Sequence, residues 1–148
     1  MLRYLKLLYY LFYRPKIFFP KKSYSMFGED IFIENYYKSK KKGFYVDVGA
    51  YHPLDGNNTH LLYKKGWNGL NIDINYYSIK LFNFLRKKDL NIHSGILNIK
   101  TKLTMYYRKE INMLNTLDEK TAKIHFKNFY KKKNIQVNTL NFFLLKNF

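Results

Sequence analysis

The pattern of apolar and polar residues predicts two short strands, Phe44–Val48 and Leu70–Ile72, with a polar loop and a helical stretch between them. The first strand is apolar on both faces apart from Asp47, which is typical of a central strand covered on both sides. The helical stretch, His60–Lys65, is followed by a glycine that can end a helix. A helix between two apolar strands is the usual connection in a parallel sheet, so the pattern indicates a β-α-β unit.

Apolar periodicity predicts further elements on both sides of this unit. Helices are expected from Gly28, over Tyr77–Lys87, from Asp118 to about Tyr130 and from Asn141. Strands are expected over Leu90–Ile96, Leu103–Tyr107 and Ile135–Leu140, the second of them paired with the end of the first. This alternation of helices and strands predicts an α/β fold containing the first half of a mostly parallel sheet with flanking helices.

The residues with useful chemistry lie where the two strands of the β-α-β unit end. Asp47 is separated from Gly49 by one residue, and Asp73 closes the second strand. Glycine lets a backbone approach a ligand closely, and a carboxylate can accept both hydroxyls of a ribose. These residues predict a nucleoside-binding site, and a plain α/β core without a ligand is the alternative.

The loop after the first strand reads Gly49-Ala50-Tyr51-His52-Pro53, which is not the G-x-G-x-x-G pattern of dinucleotide sites. A pyrophosphate therefore has no evident cradle, which argues against a nicotinamide-dependent oxidoreductase. A ligand without a pyrophosphate needs fewer glycines, and S-adenosylmethionine is such a ligand.

Several segments together resemble the FkbM-type methyltransferases. The resemblance runs from about Ser25 to about Leu140 and is carried by Ser25–Asp30, Gly43–Ala50, Asn58-Thr59, Leu62–Gly69 and Ile72-Asp73. Members of this family depend on S-adenosylmethionine, have a Rossmann-like fold and usually methylate hydroxyl groups of sugars or secondary metabolites. The resemblance therefore implies a Rossmann-like methyltransferase domain over residues 23–148, with a small-molecule or glycan acceptor.

The resemblance also implies roles for single residues. Asp47 would anchor the methionine end of S-adenosylmethionine, directly or through water, and Gly49 would allow close approach of the backbone. Asp73 would accept the ribose hydroxyls. Ser94 would border the adenine.

Other residues of the family segments have two interpretations. Glu29 and Asp30 stand at a helix N-terminus, where they complement the helix dipole, and the resemblance also lets them approach the cofactor. Asn58 and Thr59 are expected to cap the next helix. His52 is the one candidate for a general base in the region that the resemblance covers, and an ordinary loop histidine is the alternative.

The chain departs from the family at Asn75, where members often have proline, and in its length of 148 residues. A Rossmann-like methyltransferase needs a sheet of about six or seven strands, and a fourth parallel strand with another acid would follow the end of this sequence. The sequence is therefore interpreted as an incomplete domain. An inactive remnant or a binding module is the alternative to an active enzyme.

The net charge of +17 would ordinarily suggest a nucleic-acid or anionic-membrane partner. The abundant Lys, Asn, Ile, Phe and Tyr are all encoded by A/T-rich codons, so base composition explains much of the lysine excess. The lysine runs lie at predicted element ends, where they are solvated: Lys40–Lys42, Lys87-Lys88 and Lys131–Lys133. No specific nucleic-acid partner is expected, and a basic nucleic-acid or membrane-surface protein stays as a further alternative.

Residues 1–22 are apolar and basic and predict a short amphipathic helix with a linker, because Leu2, Leu5, Leu8 and Phe12 share one helical face. The apolar run is far shorter than the ~20 residues of a membrane span. Covering the sheet edge is the favoured role, and peripheral membrane contact is the alternative. Lys6 interrupts a would-be signal core, so a cytoplasmic location is expected. The chain has no cysteine and no histidine pair at ligand spacing, so no metal site is expected.

Overall fold

A computed structural model describes residues 19–147 together with Leu5, Leu8 and Tyr9. The described residues form a mixed α/β fold. Its helices are α1 Glu29–Tyr36, α2 His60–Lys64, α3 Tyr76–Leu85, α4 Glu119–Phe126 and α5 Leu140–Asn147. Its strands are β1 Phe44–Val48, β2 Asn68–Asp73, β3 Leu90–His93, β4 Gly95–Ile96, β5 Thr101–Tyr107 and β6 Lys131–Asn138. Apart from Leu5, Leu8 and Tyr9, which are helical and exposed, the predicted N-terminal helix lies outside the described residues.

The first sheet confirms the predicted β-α-β unit. Its strand order is β1-β2-β3, and both pairings are parallel. Asp47 of β1 is level with Asn71 of β2, and Asp73 at the end of β2 is level with His93. The carboxyl ends of the strands therefore meet at one edge, where the sequence predicts a ligand.

The second sheet departs from the expectations. Its order is β4-β6-β5, with β4 parallel to β6 and β5 antiparallel to β6. The single strand predicted over Leu90–Ile96 is wrong, because the chain leaves the first sheet at Ser94 and pairs afterwards with β6. The predicted pairing of β5 with the end of this strand is wrong as well, since β6 lies between β4 and β5.

The strand β2 lies at the centre of the apolar packing. Leu70 and Ile72 are fully buried and pack with Phe143 of α5. Another cluster packs Tyr45 of β1 against Trp67 and Leu62. Burying each large apolar side chain contributes about 1.5–3 kcal/mol, so β2 and its two neighbours hold the candidate site in place.

The strand β1 is less covered than the sequence predicts. Phe44, Val46 and Val48 are 40%, 39% and 52% exposed, whereas Tyr45 on the opposite face is buried. Within the described part of the chain, β1 pairs only with β2 and is the edge of the first sheet. The prediction of a strand covered on both sides is therefore wrong for these residues, because an apolar pattern does not specify what covers each face.

The predicted helices are confirmed with small changes at their ends. Asp118 caps the start of α4 as expected, since its carboxylate accepts a hydrogen bond from Thr121 N at 2.7 Å. The helix ends before the predicted Tyr130 because Lys127 and Asn128 adopt positive φ angles of 48° and 65°. None of the described helices has both the length and the apolar character that crossing a bilayer requires.

Gly69 of β2 offers a test of the strand packing. A Cβ at this position would overlap the ring of Tyr45 and also its backbone oxygen. Since the backbone of a paired strand cannot move aside easily, Gly69→Ala should lower the free energy of unfolding by about 1–3 kcal/mol. Urea denaturation followed by circular dichroism measures this change. Asn68→Ala, on the exposed neighbour, should change it by less than about 0.5 kcal/mol, and equal effects in both variants would contradict the packing.

Candidate functional site

The loop after β1 turns back across the end of β2. Gly49 and Tyr51 have φ angles of 77° and 56°. The backbone N–H groups of Gly49 and Ala50 both donate to the carbonyl of Ile72, at 2.8 and 3.2 Å. Glycine suits the turn because other residues rarely adopt its φ angle. The turn brings the backbone at Tyr51 to the carboxylate that ends β2.

That carboxylate, Asp73, is held in place by two backbone donors. Its Oδ2 accepts from Tyr51 N at 2.8 Å, and its Oδ1 accepts from Asn75 N at 2.7 Å. Burial raises the pKa of Asp73 to about 6, although the two hydrogen bonds favour its charged form. Each oxygen keeps a further lone pair, so the group has a fixed orientation and can still accept from a ligand.

Asn75, at the position where FkbM-type methyltransferases often have proline, has a clear local role. Its Oδ1 accepts from Tyr77 N and Ser78 N, and this caps the start of α3. Its own N–H is the donor to Asp73, which a proline could not supply. Asn75 therefore ties the end of β2 to the start of α3.

A cavity of about 310 Å³ lies at the carboxyl ends of β1 and β2 and at the junction of β3 with β4. Its lining brings together Gly49, Asp73 and Ser94, three of the residues predicted for the site, with the 112–117 segment on another side. The volume lies at the small end of the usual range for ligand pockets, about 300–1,000 Å³.

The hydroxyl of Ser94 is already engaged at the wall of this cavity. Its single proton is shared between the carbonyls of Gly95 and Gln136, which lie 2.8 and 3.2 Å from Ser94 Oγ, and the residue is buried. These bonds hold the crossing of the chain from the first sheet to the second. The predicted position beside an adenine stays a prediction.

Asp47 lies beside the cavity but is not part of its lining. Its Oδ2 accepts from Thr59 Oγ1 at 3.0 Å and from Asn57 Nδ2 at 3.3 Å, whereas its Oδ1 accepts from no described residue. Burial raises the pKa of Asp47, opposed by the bond from Thr59. The prediction that the Thr59 side chain caps α2 is wrong, because its hydroxyl donates to the Asp47 carboxylate instead. Asn58 is exposed.

Sequence reasoning missed Arg86, which supports Asp47 indirectly. The residue follows α3 and is 1% exposed. Its guanidinium donates to Thr59 Oγ1 and to the Pro53 carbonyl, both at 2.8 Å, and also to Asn57 Oδ1. It therefore holds both residues that donate to Asp47. The sequence did contain a signal that Arg86 has a structural role. It is one of four arginines in a lysine-rich chain, and it precedes an acid, Asp89, by three positions.

Asp89 extends this network to the sheet. Its carboxylate lies 3.9 Å from the Arg86 guanidinium and accepts from Tyr45 Oη at 2.6 Å. It also accepts from Gly69 N and Asn71 Nδ2, at 2.9 and 2.8 Å. The buried charges thus join β1, β2 and the end of α3.

Glu29 and Asp30 stabilise the segment before α1. Asp30 is fully buried and accepts from Ser23 Oγ, Ser25 Oγ and Tyr24 N, at 2.7, 2.7 and 2.6 Å. Although burial opposes its ionisation, these bonds lower its pKa. Glu29 accepts from Phe27 N at 2.8 Å. Neither carboxylate lines the cavity, and their approach to a cofactor stays a prediction.

His52, the candidate base, is buried, and its Nδ1 accepts from Leu54 N at 3.1 Å. It does not line the cavity, whereas its neighbour Tyr51 does. Among the residues that the structure describes, no group of three His, Asp or Glu side chains is placed to hold a metal ion.

Comparisons of the chain with models of protein families, with curated proteins and with solved structures give no match. The indication of function therefore comes from the residues of the site. These form a cavity at the carboxyl edge of a parallel sheet, with a buried, oriented carboxylate in its wall.

The raised pKa of Asp73 predicts a pH dependence of stability. The folded chain holds the proton more tightly than the unfolded chain, in which the pKa is near 3.8 rather than about 6. The free energy of unfolding should therefore fall as the pH rises from about 4 to about 6, and Asp73 should add no further dependence above that. Urea denaturation across this range should show this component in the wild type and not in Asp73→Asn. Identical pH profiles for the two proteins would contradict it.

The Arg86 network predicts a large loss of stability. Arg86→Met would leave buried carboxylates and their polar partners without a cation, which should cost about 3–5 kcal/mol in free energy of unfolding. The matched control, Arg108→Met, changes an exposed arginine and should cost less than about 0.5 kcal/mol. Chemical denaturation of both variants measures the difference, and similar losses in the two would show that Arg86 is not the centre of the network.

Proposed function

We propose that the chain is an FkbM-type, S-adenosylmethionine-dependent methyltransferase domain with a Rossmann-like fold. It would transfer a methyl group to a hydroxyl of a small-molecule or glycan acceptor. The observation that carries the proposal is the cavity in which Gly49, Asp73 and Ser94 meet. In open α/β sheets, ligands bind at the carboxyl ends of the strands, and this cavity lies there.

The residues of the cavity fit a nucleoside with a positively charged sulfonium. Asp73 presents a carboxylate whose orientation is fixed and whose acceptor capacity is not used up. A Cβ added to Gly49 would meet no atom within 4 Å, so the backbone there faces open space. Ile72, Ile74 and Ile96 supply apolar lining for a flat base.

Asp47 lies beside the cavity, and its hydrogen bonds also support the proposal. Thr59 and Asn57 occupy its Oδ2, while its Oδ1 accepts no bond from the described residues. This oxygen is therefore available to an ammonium group, directly or through water. Arg86 fixes the two donors and so sets the orientation of the carboxylate.

When bound, S-adenosylmethionine supplies a methyl group that passes to the acceptor oxygen as the carbon–sulfur bond breaks, leaving a thioether, while the hydroxyl proton passes to a base or to water. The task of this chain is to bind and align the two reactants and to exclude water. Asp73 and Asp47 orient the cofactor at its ribose and at its methionine end. His52 stays the predicted base, although the cavity is lined by its neighbour Tyr51.

The proposal predicts that Asp73→Asn weakens binding of S-adenosylhomocysteine by about 1–3 kcal/mol, because a hydrogen bond to a charged group is lost. Isothermal titration calorimetry above pH 7 measures the affinities. Glu34→Gln removes a carboxylate that does not line the cavity and should leave the affinity unchanged. A wild type that does not bind S-adenosylhomocysteine, or two variants with equal affinity, would contradict the proposal.

A binding module without turnover is a second candidate, favoured by the exposed apolar face of β1. Phe44, Val46 and Val48 are exposed on a strand that has an open edge among the described residues, and such edges readily pair with another strand. Methyl transfer from labelled S-adenosylmethionine to a panel of glycosides separates the two candidates. Cofactor binding without transfer to any acceptor favours the module.

A further inference from the structure

The helix α5 carries apolar side chains on both of its faces. On its inner face, Phe143 is buried and packs with Leu70 and Ile72 of β2. On its outer face, Phe142 and Leu145 are exposed, Leu145 by 86%. A helix that is apolar all round is normally buried on every side. Since the inner face supplies the contact with the core, the outer apolar residues of α5 are left for another contact.

The connection between β4 and β5 adds to this outer surface. It consists of residues 97–100, and both Leu97 and Ile99 are exposed. The N–H of Leu97 donates at 3.1 Å to the carbonyl of Asn138, which lies two residues before α5 begins. The connection therefore lies beside the start of α5.

Lysines border the exposed apolar residues. The ammonium of Lys100, in the connection, lies 5.5 Å from the centre of the Phe142 ring, and the ammonium of Lys146, one turn further along α5, lies 5.8 Å from it. Neither lysine forms an ion pair with another residue in the part of the chain that the structure describes. These contacts join the connection and α5 into one basic apolar patch, which consists of Leu97, Ile99, Lys100, Phe142, Leu145 and Lys146.

The segments that form the patch carry charge of one sign only. No Asp or Glu occurs in residues 90–109 or in residues 120–148, which supply the two parts of the patch. A second copy of the chain bound through the same patch would place lysines against lysines, and each chain has a net charge of +17. The occupant that complements the patch therefore presents anionic groups beside apolar ones.

We propose that the basic apolar patch binds the chain to the surface of a bilayer that contains anionic lipids. The apolar side chains of the patch insert among the upper acyl segments, and Lys100 and Lys146 contact the headgroups. A lysine beside an aromatic ring suits this depth, because its stem packs on apolar surface while its ammonium stays at the polar level. Lipids also adapt to an irregular surface made from a helix and a loop, whereas a protein partner has to match its shape. This peripheral contact does not depend on the proposed methyltransferase function.

The first experiment titrates the full chain with vesicles of phosphatidylcholine alone and with vesicles that also contain phosphatidylserine, and it measures binding by flotation. The phosphatidylserine vesicles should bind at least about tenfold more tightly, and added salt should weaken this binding because it screens the lysines. In the variant Leu145→Trp, the tryptophan emission should shift to the blue on binding, since the indole leaves water. The native Trp67 is buried and should contribute no shift.

The lysines of the patch are tested against a charge-matched control. Lys100→Gln/Lys146→Gln should weaken binding to the phosphatidylserine vesicles about tenfold or more, because both headgroup contacts are lost. Lys41→Gln/Lys42→Gln removes the same charge from exposed positions outside the patch and should weaken binding by less than about threefold.

The apolar residues of the patch have a matched control as well. Phe142→Ser/Leu145→Ser should weaken binding to the same vesicles about tenfold, because apolar area is lost from the membrane contact. Ile124→Ser/Phe129→Ser replaces exposed apolar residues of α4 and of the turn that follows it, and it should leave binding unchanged. Circular dichroism should show the same fold in all of these variants, because the substituted side chains are exposed.

Absent binding, equal binding to the two kinds of vesicle, or an unshifted emission of Leu145→Trp would overturn the inference. Equal losses in the two lysine variants would also overturn it, because they would show a general effect of net charge. Unchanged vesicle binding in Phe142→Ser/Leu145→Ser would overturn it too. If that variant instead lost a self-association seen in sedimentation velocity, the occupant of the patch would be a second copy of the chain.

Discussion

The candidate site depends on the hydrogen bonds that the carboxylate of Asp73 accepts. It accepts one hydrogen bond from the loop after β1, through Tyr51 N, and one from the start of α3, through Asn75 N. A buried carboxylate is costly unless it is hydrogen-bonded. Asp73 therefore depends on the loop after β1 and on the start of α3 for its two donors. Tyr51, whose backbone the first of these bonds orders, also lines the cavity together with Gly49.

The second acid is held in a different way. Asp47 receives side-chain donors from Thr59 and Asn57, and Arg86 binds both of them. Arg86 is in turn close to Asp89, which is bonded to Tyr45 of β1 and to the backbone of β2. The orientation of Asp47 therefore depends on a charge network that crosses the sheet, whereas that of Asp73 depends on local backbone geometry.

This difference explains what the sequence could predict. The strands β1 and β2, the acids that end them and the glycine between them are local features, and the structure places Gly49 and Asp73 in one cavity as expected. The division of the predicted third strand at Ser94 depends on pairing with β6, which lies about forty residues further along the chain, and periodicity does not identify a distant partner. Arg86 resembles a surface charge in sequence, because only tertiary contacts reveal that its charge is buried and paired. The exposed face of β1 was missed for a similar reason, since an apolar pattern shows that a face can be covered but not by what.

The most direct test of ribose recognition by Asp73 compares ligands rather than variants, so that the folded chain is never altered. Adenosine, 2′-deoxyadenosine and 3′-deoxyadenosine are titrated into the 148-residue chain above pH 7, where the carboxylate is ionised, and amide shifts near Asp73 are followed by NMR. If Asp73 accepts both ribose hydroxyls, each deoxynucleoside should bind about 1–3 kcal/mol more weakly than adenosine. Equal affinities for the three nucleosides, or shifts confined to residues away from the cavity, would contradict the assignment.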